Sequence, residues 1–289
     1  MPELLLHPKT MTQIGRLIAN QPNSILISGA DGSGKETLAA QVAAGLLGIP
    51  AAKLNGYAYL QRINPKEDYI AIEEIRSLQQ FLKLKVPSAE SKLNRAVIID
   101  RAERMRTETQ NALLKTLEEP PADTAIILTA AHPEILLPTI TSRTQELAIL
   151  PVSETQATGY FKARGKKGSD IAKCYALSQG QAGLLYSLLE NENHPLIAQV
   201  SLAKQILAEN PGKRLLRTDE LAKDKQQARL LLNALIRITH AALAAAAKQQ
   251  RPGAVEQWRQ RQAIVAESSE HLIYNPNMKL LLDNLFLSL

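Results

Sequence analysis

Short runs of apolar, mostly β-branched residues alternate with helical segments over the first half of the chain. The runs at 24–28, 96–100 and 125–129 predict buried strands, and the run at 145–149 predicts a fourth. Helices are predicted over 36–47, 72–84 and 107–117, and Pro120-Pro121 ends the third. Apolar strands separated by helices are typical of a parallel sheet that is covered on both faces. The pattern therefore predicts an α/β domain over residues 1–150.

The pattern changes at Pro151 and is helical from there onward. Residues 153–189 predict three short helices broken by glycines, and Ser153 and Gln156 have the spacing of a capping box. Further helices are predicted over 196–207, 219–249, 253–268 and 277–287, with Pro-Gly breaks at 211 and 252. The division predicted from these shifts is a core over 1–150, a small helical domain over 151–193 and an all-helical domain over 194–289.

Composition narrows the function classes only slightly. The net charge of +6 and the pI near 9.3 permit contact with a polyanion, although a solvated basic surface explains them equally well. Cys174 is the only cysteine, so neither a disulfide framework nor a thiolate zinc site is expected. We find no signal peptide and no apolar run near the roughly 20 residues of a membrane helix. We therefore expect a soluble cytoplasmic protein with no membrane partner.

The segment from Gly29 to Lys35 has the spacing of a phosphate-binding loop, and it follows a predicted strand and opens a predicted helix. Backbone N–H groups of such a loop surround phosphate oxygens, and the lysine adds a positive charge. The candidate nucleotide-binding residues here are Gly29, Gly32, Ser33, Gly34, Lys35, Glu36 and Thr37. Glu36 stands where a Mg²⁺-binding Ser or Thr is expected, so Mg²⁺ binding is doubtful. Weak binding of ATP or ADP remains open, and so does a helix start with a favourable acidic residue.

Asp100 ends the second apolar strand, as the metal-side acid of a Walker B motif does. The alternative is that Asp100 only caps the following helix. Arg101 occupies the next position, where ATPases carry the glutamate that orients the attacking water. A guanidinium is always protonated and cannot accept a proton from water. The sequence thus predicts a nucleotide site without its general base.

Residues 111–121, which read NALLKTLEEPP, closely resemble the signature of AAA+ clamp-loader subunits, the family of bacterial gamma/tau and delta prime and of replication factor C. Residues 72–78 and 136–143 resemble two further segments of that family. The resemblance implies an AAA+ P-loop core with a parallel sheet, a helical lid and a C-terminal helical collar that joins the subunits. It also implies that Arg143 is an arginine finger that enters the ATP site of a neighbouring subunit. An ordinary surface charge is the alternative for Arg143.

Departures from the active members of this family favour a delta prime type. Ala130-Ala131 replaces the polar sensor residue, and residues 178–185 have no sensor arginine and resemble the delta prime version of the lid segment. The four-cysteine zinc module is missing, so no zinc is expected. The resemblance also implies contacts with duplex DNA, for which the candidates are Arg76, Lys83 and Arg106. Phosphate contacts require only positive charge, and a solvated helix face is the equally good alternative for each.

These resemblances imply a delta prime-like subunit of the bacterial DNA polymerase III clamp loader, which places the sliding clamp on primed DNA. Its partners would be the gamma/tau and delta subunits, the sliding clamp and primer-template DNA. The expected role is that of a stator, which lacks hydrolysis itself and offers Arg143 to a neighbour. Two alternatives stay open: an active ATPase of the gamma/tau type, and a stand-alone AAA+ adaptor gated by nucleotide.

Overall fold

A computed structural model describes residues 4–65, 69–84, 86, 93–274 and 276–289. The chain forms two compact units, the first comprising residues 1–160 with 181–184, and the second comprising 161–180 with 185–289. The unit boundary passes through two helices, at 154–162 and at 182–190. The three-domain division with boundaries at 150 and 193 stays a prediction.

The first unit contains a parallel sheet, in which the described residues form five strands in the order β2-β3-β4-β1-β5. The strands are β1 (Ser24–Ser28), β2 (Leu60–Ile63), β3 (Arg95–Ile99), β4 (Thr124–Ala130) and β5 (Gln145–Ala148). Strands β1, β3 and β4 are buried along their whole length. Burial on both faces explains why their sequences are continuously apolar rather than alternating.

Helices cover both faces of this sheet. They are α1 (Pro8–Asn20), α2 (Lys35–Leu47), α3 (Ile72–Leu82), α4 (Thr107–Glu118) and α5 (Pro138–Thr141). Alternate residues of each strand enter opposite cores: Ile25 and Ile27 pack with α1 and α2, whereas Leu26 packs with α3, α4 and α5. Because the strands are parallel, the loops after β1, β3 and β4 emerge at the same edge of the sheet, where ligands bind in open α/β folds.

The remaining elements are helices. They are α6 (Glu154–Lys162), α7 (Gly168–Ser178), α8 (Ala182–Glu190), α9 (Pro195–Ala208), α10 (Pro211–Leu216), α11 (Thr218–Leu221), α12 (Lys225–Lys248), α13 (Pro252–Glu270) and α14 (Met278–Ser288). Within the second unit, α12 packs against α7, α9 and α13. Arg214 is buried beneath α9 and donates from Nε to the Ile206 carbonyl at 2.8 Å, which satisfies a carbonyl of the last helical turn.

Most predicted elements are confirmed within a few residues, and the capping box is confirmed as well. The Ser153 backbone N–H donates to Gln156 Oε1 at 3.0 Å, and the Gln156 N–H donates to Ser153 Oγ at 3.2 Å. The single helix predicted over 219–249 is wrong. Asp224 interrupts it, because its side chain accepts from the N–H groups of Gln226 and Gln227 and so caps a new helix. The sequence prediction also lacked α1 and β2.

The sequence predicted that no segment is long and apolar enough to cross a membrane. By length and composition alone, one helix contradicts that prediction. Among the described residues, the 24-residue helix α12 passes that test, with a mean hydropathy of 1.6 over its most apolar window. Of that window, 44% is buried inside the structure. Core helices of soluble proteins pass the same test, so this helix is weak evidence for a membrane span.

Candidate functional site

The predicted phosphate loop lies between β1 and α2, which is the strand–loop–helix arrangement that the motif requires. Gly32 and Gly34 have φ angles of +84° and +94°, in the left-handed region where a side chain is unfavourable. The Ser33 N–H donates to the Ala30 carbonyl at 3.1 Å and closes the turn. Helix α2 then begins at Lys35, followed by the exposed side chains of Glu36 and Thr37.

Lys35 is folded onto its own loop. Its Nζ donates to the carbonyls of Gly29 at 2.7 Å and Ala30 at 3.2 Å, and it lies 3.6 Å from Asp31 Oδ1. Burial removes water from the ammonium and lowers the pKa of Lys35, and the negative charge of Asp31 partly offsets this effect. Lys35 is therefore bonded to its own loop, and its ammonium would have to leave these carbonyls in order to contact a phosphate.

Residues 181–184, which belong to the same compact unit, pack directly on this loop. The Leu184 N–H donates to the Gly32 carbonyl at 2.7 Å. A Cβ placed on Gly183 would lie 2.8 Å from the Gly34 nitrogen and 2.9 Å from the Gly32 oxygen. Even a methyl group therefore has no room between this segment and the loop. The only sequence signal for the contact was a glycine in the segment that resembles the family's lid helix.

Asp100 follows β3 at the same edge of the sheet and is 2% exposed. Thr129 Oγ1 donates to Asp100 Oδ1 at 3.1 Å and accepts the Arg101 N–H at 3.0 Å. Burial raises the pKa of Asp100, and the charge of Glu36 raises it further. Thr129, which the sequence analysis did not single out, therefore fixes the orientation of the Asp100 carboxylate.

Arg101 is exposed and has a φ of +53°, and the positive charge at this predicted base position acts on both Lys35 and Asp100. Glu103, two residues later, also belongs to this site and was missed. Its Oε1 accepts the Ala131 N–H at 3.1 Å, and its charge acts on Lys35. Its Oε2 is buried and has no hydrogen-bond partner among the residues that the structure describes. Ala131 thus contributes a backbone donor but no side chain that could contact a phosphate.

Arg143 lies just after α5 and is exposed. Its Nη1 donates to the Thr139 carbonyl at 3.0 Å, and its Nη2 lies 2.8 Å from Glu118 Oε1 at the end of α4. Both partners belong to α4 and α5 rather than to the phosphate loop. The arrangement leaves Arg143 at the surface with a defined orientation.

A buried glutamine connects α4 to the segment that carries Arg143. Gln110 is 3% exposed, its Nε2 donates to the Met105 carbonyl at 3.0 Å, and its Oε1 accepts the Leu137 N–H at 2.8 Å. The bond to Met105 is buried and the bond to Leu137 is partly buried, so they restrict the segment before α5 more than fully exposed bonds would. Gln110 therefore helps to place Arg143.

The three candidate DNA contacts lie on or beside α3 and α4, which pack together. Arg76 is exposed on α3 and lies 3.9 Å from Glu73 Oε1, and Lys83 is exposed just after the end of α3. Arg106 precedes α4 and stacks on the ring of the partly exposed Tyr69, with 4.8 Å between the guanidinium carbon and the ring centroid. Their role in DNA binding stays a prediction.

The described part of the chain has no group of three or more His, Cys, Asp or Glu side chains that could hold a metal ion. The carboxylates of Asp100 and Glu36 repel each other electrostatically.

The chain resembles known proteins over this region. A family model described as "DNA polymerase III, delta subunit" matches residues 7–153. The delta prime subunit of DNA polymerase III from Pseudomonas aeruginosa is 32% identical over 150 residues, which are 46% of this chain and 45% of that relative. The delta prime subunit from Haemophilus influenzae is 30% identical over 135 residues, which are 46% of this chain and 40% of that relative. The chain thus spans less than half the length of these curated relatives.

A solved structure shows the same fold over nearly the whole chain. A DNA polymerase III gamma subunit-related protein from Thermotoga maritima matches with a TM-score of 0.58 and 22% identity, covering 96% of this chain and 97% of its own. At this identity the likeness shows the fold alone. It supports the α/β fold with a parallel sheet and a helical C-terminal region that the sequence predicted.

Proposed function

The chain belongs to the family described as DNA polymerase III, delta subunit, and from this premise we propose that it serves as a delta prime-like stator of a clamp loader. A clamp loader places the sliding clamp on primed DNA. In this role the chain supplies Arg143 to the ATP site of a neighbouring subunit and does not hydrolyse ATP itself. The observation that carries the proposal is the phosphate loop, which packs against the chain's own residues 181–184 instead of lying open.

Three replaced groups support a deficiency in hydrolysis. Arg101 cannot act as a general base, Glu36 adds a negative charge where a neutral Mg²⁺ ligand is expected, and Ala131 has no polar side chain. Lys35 is held by its own loop, with its ammonium on the carbonyls of Gly29 and Ala30. Each group would have to move or be replaced before phosphoryl transfer could be catalysed here.

Nucleotide binding is proposed to be weak and to require that residues 181–184 leave the loop. A Cβ on Gly183 would lie only 2.8 Å from the Gly34 nitrogen, so the backbone of this segment lies against the loop where a phosphate would be bound, and the two compete for the same place. The apparent affinity for ATP or ADP is then reduced by the fraction of molecules in which the loop is open. Little dependence on Mg²⁺ is expected, because Glu36 opposes the metal.

Replacing Gly183 by alanine tests this competition. The added methyl would clash with Gly34 and Gly32, and such overpacking costs about 1–3 kcal/mol. We expect the segment to detach and ADP to bind about fivefold more tightly or better than it binds the original chain, measured by isothermal titration. Gly159→Ala is the matched control, since nothing lies within 4 Å of its added Cβ. Equal affinities for all three proteins would show that the segment does not limit binding.

The C-terminal helices are proposed to form the collar that joins the subunits. In the second unit, Leu216, Leu280 and Leu287 are 84%, 60% and 59% exposed. Leu280 and Leu287 are seven residues apart and lie on one face of α14. Large apolar side chains at the surface are often the central contacts of protein interfaces.

Assembly tests the proposed function most simply. The variant Leu280→Ser with Leu287→Ser is expected to stay folded, because both side chains are largely exposed, and to bind the gamma/tau and delta subunits about tenfold more weakly. Co-purification of the reconstituted subunits measures this, with Met11→Ser, at a side chain that is 55% exposed in the first unit, as control. Undiminished assembly of the double variant would show that this face of α14 is not part of the interface. Failure of the original chain to assemble would refute the clamp-loader proposal.

Contact with primer-template DNA is part of the proposal. The net charge of +6 and the exposed cations Arg76, Lys83 and Arg106 support it, since phosphate contacts need no base reading. The sliding clamp is a further proposed partner, and a replication role places the chain in the cytoplasm. No zinc is proposed.

An active ATPase is the second candidate, and Glu103 is the observation that favours it. Within the described part of the chain its Oε2 is buried without a hydrogen-bond partner, and its charge acts on Lys35, so it is the carboxylate that could replace the missing base. We place this candidate second, because Glu103 Oε1 is already engaged by the Ala131 N–H and the phosphate loop is closed.

A further inference from the structure

We infer that Glu118 is a positioning residue for Arg143: its carboxylate holds the guanidinium at the surface in the orientation from which it reaches a phosphate of a neighbouring subunit. The inference rests on the proposed role of Arg143 in trans. It extends that role to a residue that neither the sequence reasoning nor the family comparison singled out.

The geometry of the pair supports this role. Glu118 Oε1 lies 2.8 Å from Arg143 Nη2, and the Thr139 carbonyl accepts from Nη1 at 3.0 Å. Because the two acceptors contact different terminal nitrogens, Nη2 and Nη1, they fix both the position and the plane of the guanidinium. The side chains are 36% and 47% exposed, so the pair lies at the surface and remains accessible to another subunit.

The pair uses only part of the arginine. A guanidinium carries five N–H groups in a planar fork, and the two contacts occupy one hydrogen on each terminal nitrogen. Three N–H groups remain for the oxygens of a phosphate. Glu118 can therefore stay bonded while Arg143 acts, which distinguishes a positioning contact from one that withdraws the arginine.

The elements that carry the two residues are held together from within. Glu118 is the last residue of α4, and Arg143 follows α5. Gln110, buried on α4, accepts the Leu137 N–H at the start of α5, so the two elements keep a fixed relation. The negative end of α4 also favours a cation at this place. An unrestrained arginine would have many rotamers, and the tether reduces that number before a partner arrives.

The test compares ATP hydrolysis by the reconstituted clamp loader with this chain as original, Glu118→Gln, Arg143→Ala or both. Glutamine keeps the shape but removes the charge. We expect Glu118→Gln to lower kcat about two- to fivefold, which is the range of an exposed ion pair, and to leave KM for ATP unchanged. In the Arg143→Ala background, the same substitution should have no effect.

Glu119→Gln is the matched control, because the adjacent side chain is exposed and does not contact Arg143 in the described structure. A melting curve of each variant separates local positioning from a loss of folding. An unchanged or raised kcat for Glu118→Gln, together with a loss for Arg143→Ala, would overturn this inference and leave the proposed function standing. If Arg143→Ala itself has no effect, both fail.

Discussion

Replacing Arg143 by alanine is expected to slow ATP hydrolysis at the neighbouring site by roughly 10³–10⁵-fold, because an arginine finger stabilises the charge on the transferring phosphoryl group. Total hydrolysis falls by less, since a clamp loader contains several sites. Arg143 is exposed and its ion pair with Glu118 lies at the surface, so the chain should stay folded and assemble normally. The measurement is phosphate release by the reconstituted complex, with clamp and primed DNA present.

Arg143→Lys is the conservative comparison for this site. Lysine keeps the positive charge but has no planar fork, so it cannot contact a phosphate and Glu118 in the same way. We expect it to restore only part of the hydrolysis that alanine removes. Full restoration by lysine would mean that charge alone matters at position 143 and that the orientation of the fork does not.

The isolated chain is expected to hydrolyse ATP negligibly. Loss of a general base alone typically lowers the rate by roughly 10²–10⁴-fold, and here Arg101 replaces that base. The closed phosphate loop and the inward position of Lys35 lower the rate further. Phosphate release by the purified chain, followed under single-turnover conditions and with saturating ATP, measures this directly.

Rapid ATP turnover by the isolated chain would contradict this expectation, and Glu103 is the residue that could then act as the base. If the isolated chain turns over at a rate near the enzyme median of about 10 s⁻¹, a base must be present. In that case Glu103→Gln should abolish the activity, because Glu103 Oε2 is buried and accepts no hydrogen bond from the described residues. Activity that Glu103→Gln removes would establish an active ATPase and exclude the stator.

The sequence predicted four of the five described strands and the strand–loop–helix arrangement around residues 29–35. Strands such as β1 are apolar along their whole length, and the glycines at 32 and 34 occupy φ angles that few other residues adopt. Such features are local, so they can be read from neighbouring residues. The break at Asp224 was missed because its side chain competes with a helical pattern that continues on both sides.

The contacts that define the candidate site could not be read in the same way. Gly183 packs against Gly34 although about 150 residues separate them in the chain. Thr129, on β4, contacts Asp100, which follows β3. In the sequence, Glu118 is only one of two adjacent glutamates. The folded structure places it beside Arg143, which follows α5. Each contact depends on tertiary packing, which carries no periodic signal in the sequence.

Clamp loading by the reconstituted complex is the most direct test of the proposed stator role of this chain. The complex is reconstituted with the original chain or with Arg143→Ala, and the number of clamps placed on primed DNA per unit time is counted with ATP present. We expect both chains to enter the complex equally and the alanine variant to load clamps at a strongly reduced rate. Equal loading by the two complexes would refute the stator role, because Arg143 would then be an ordinary surface charge.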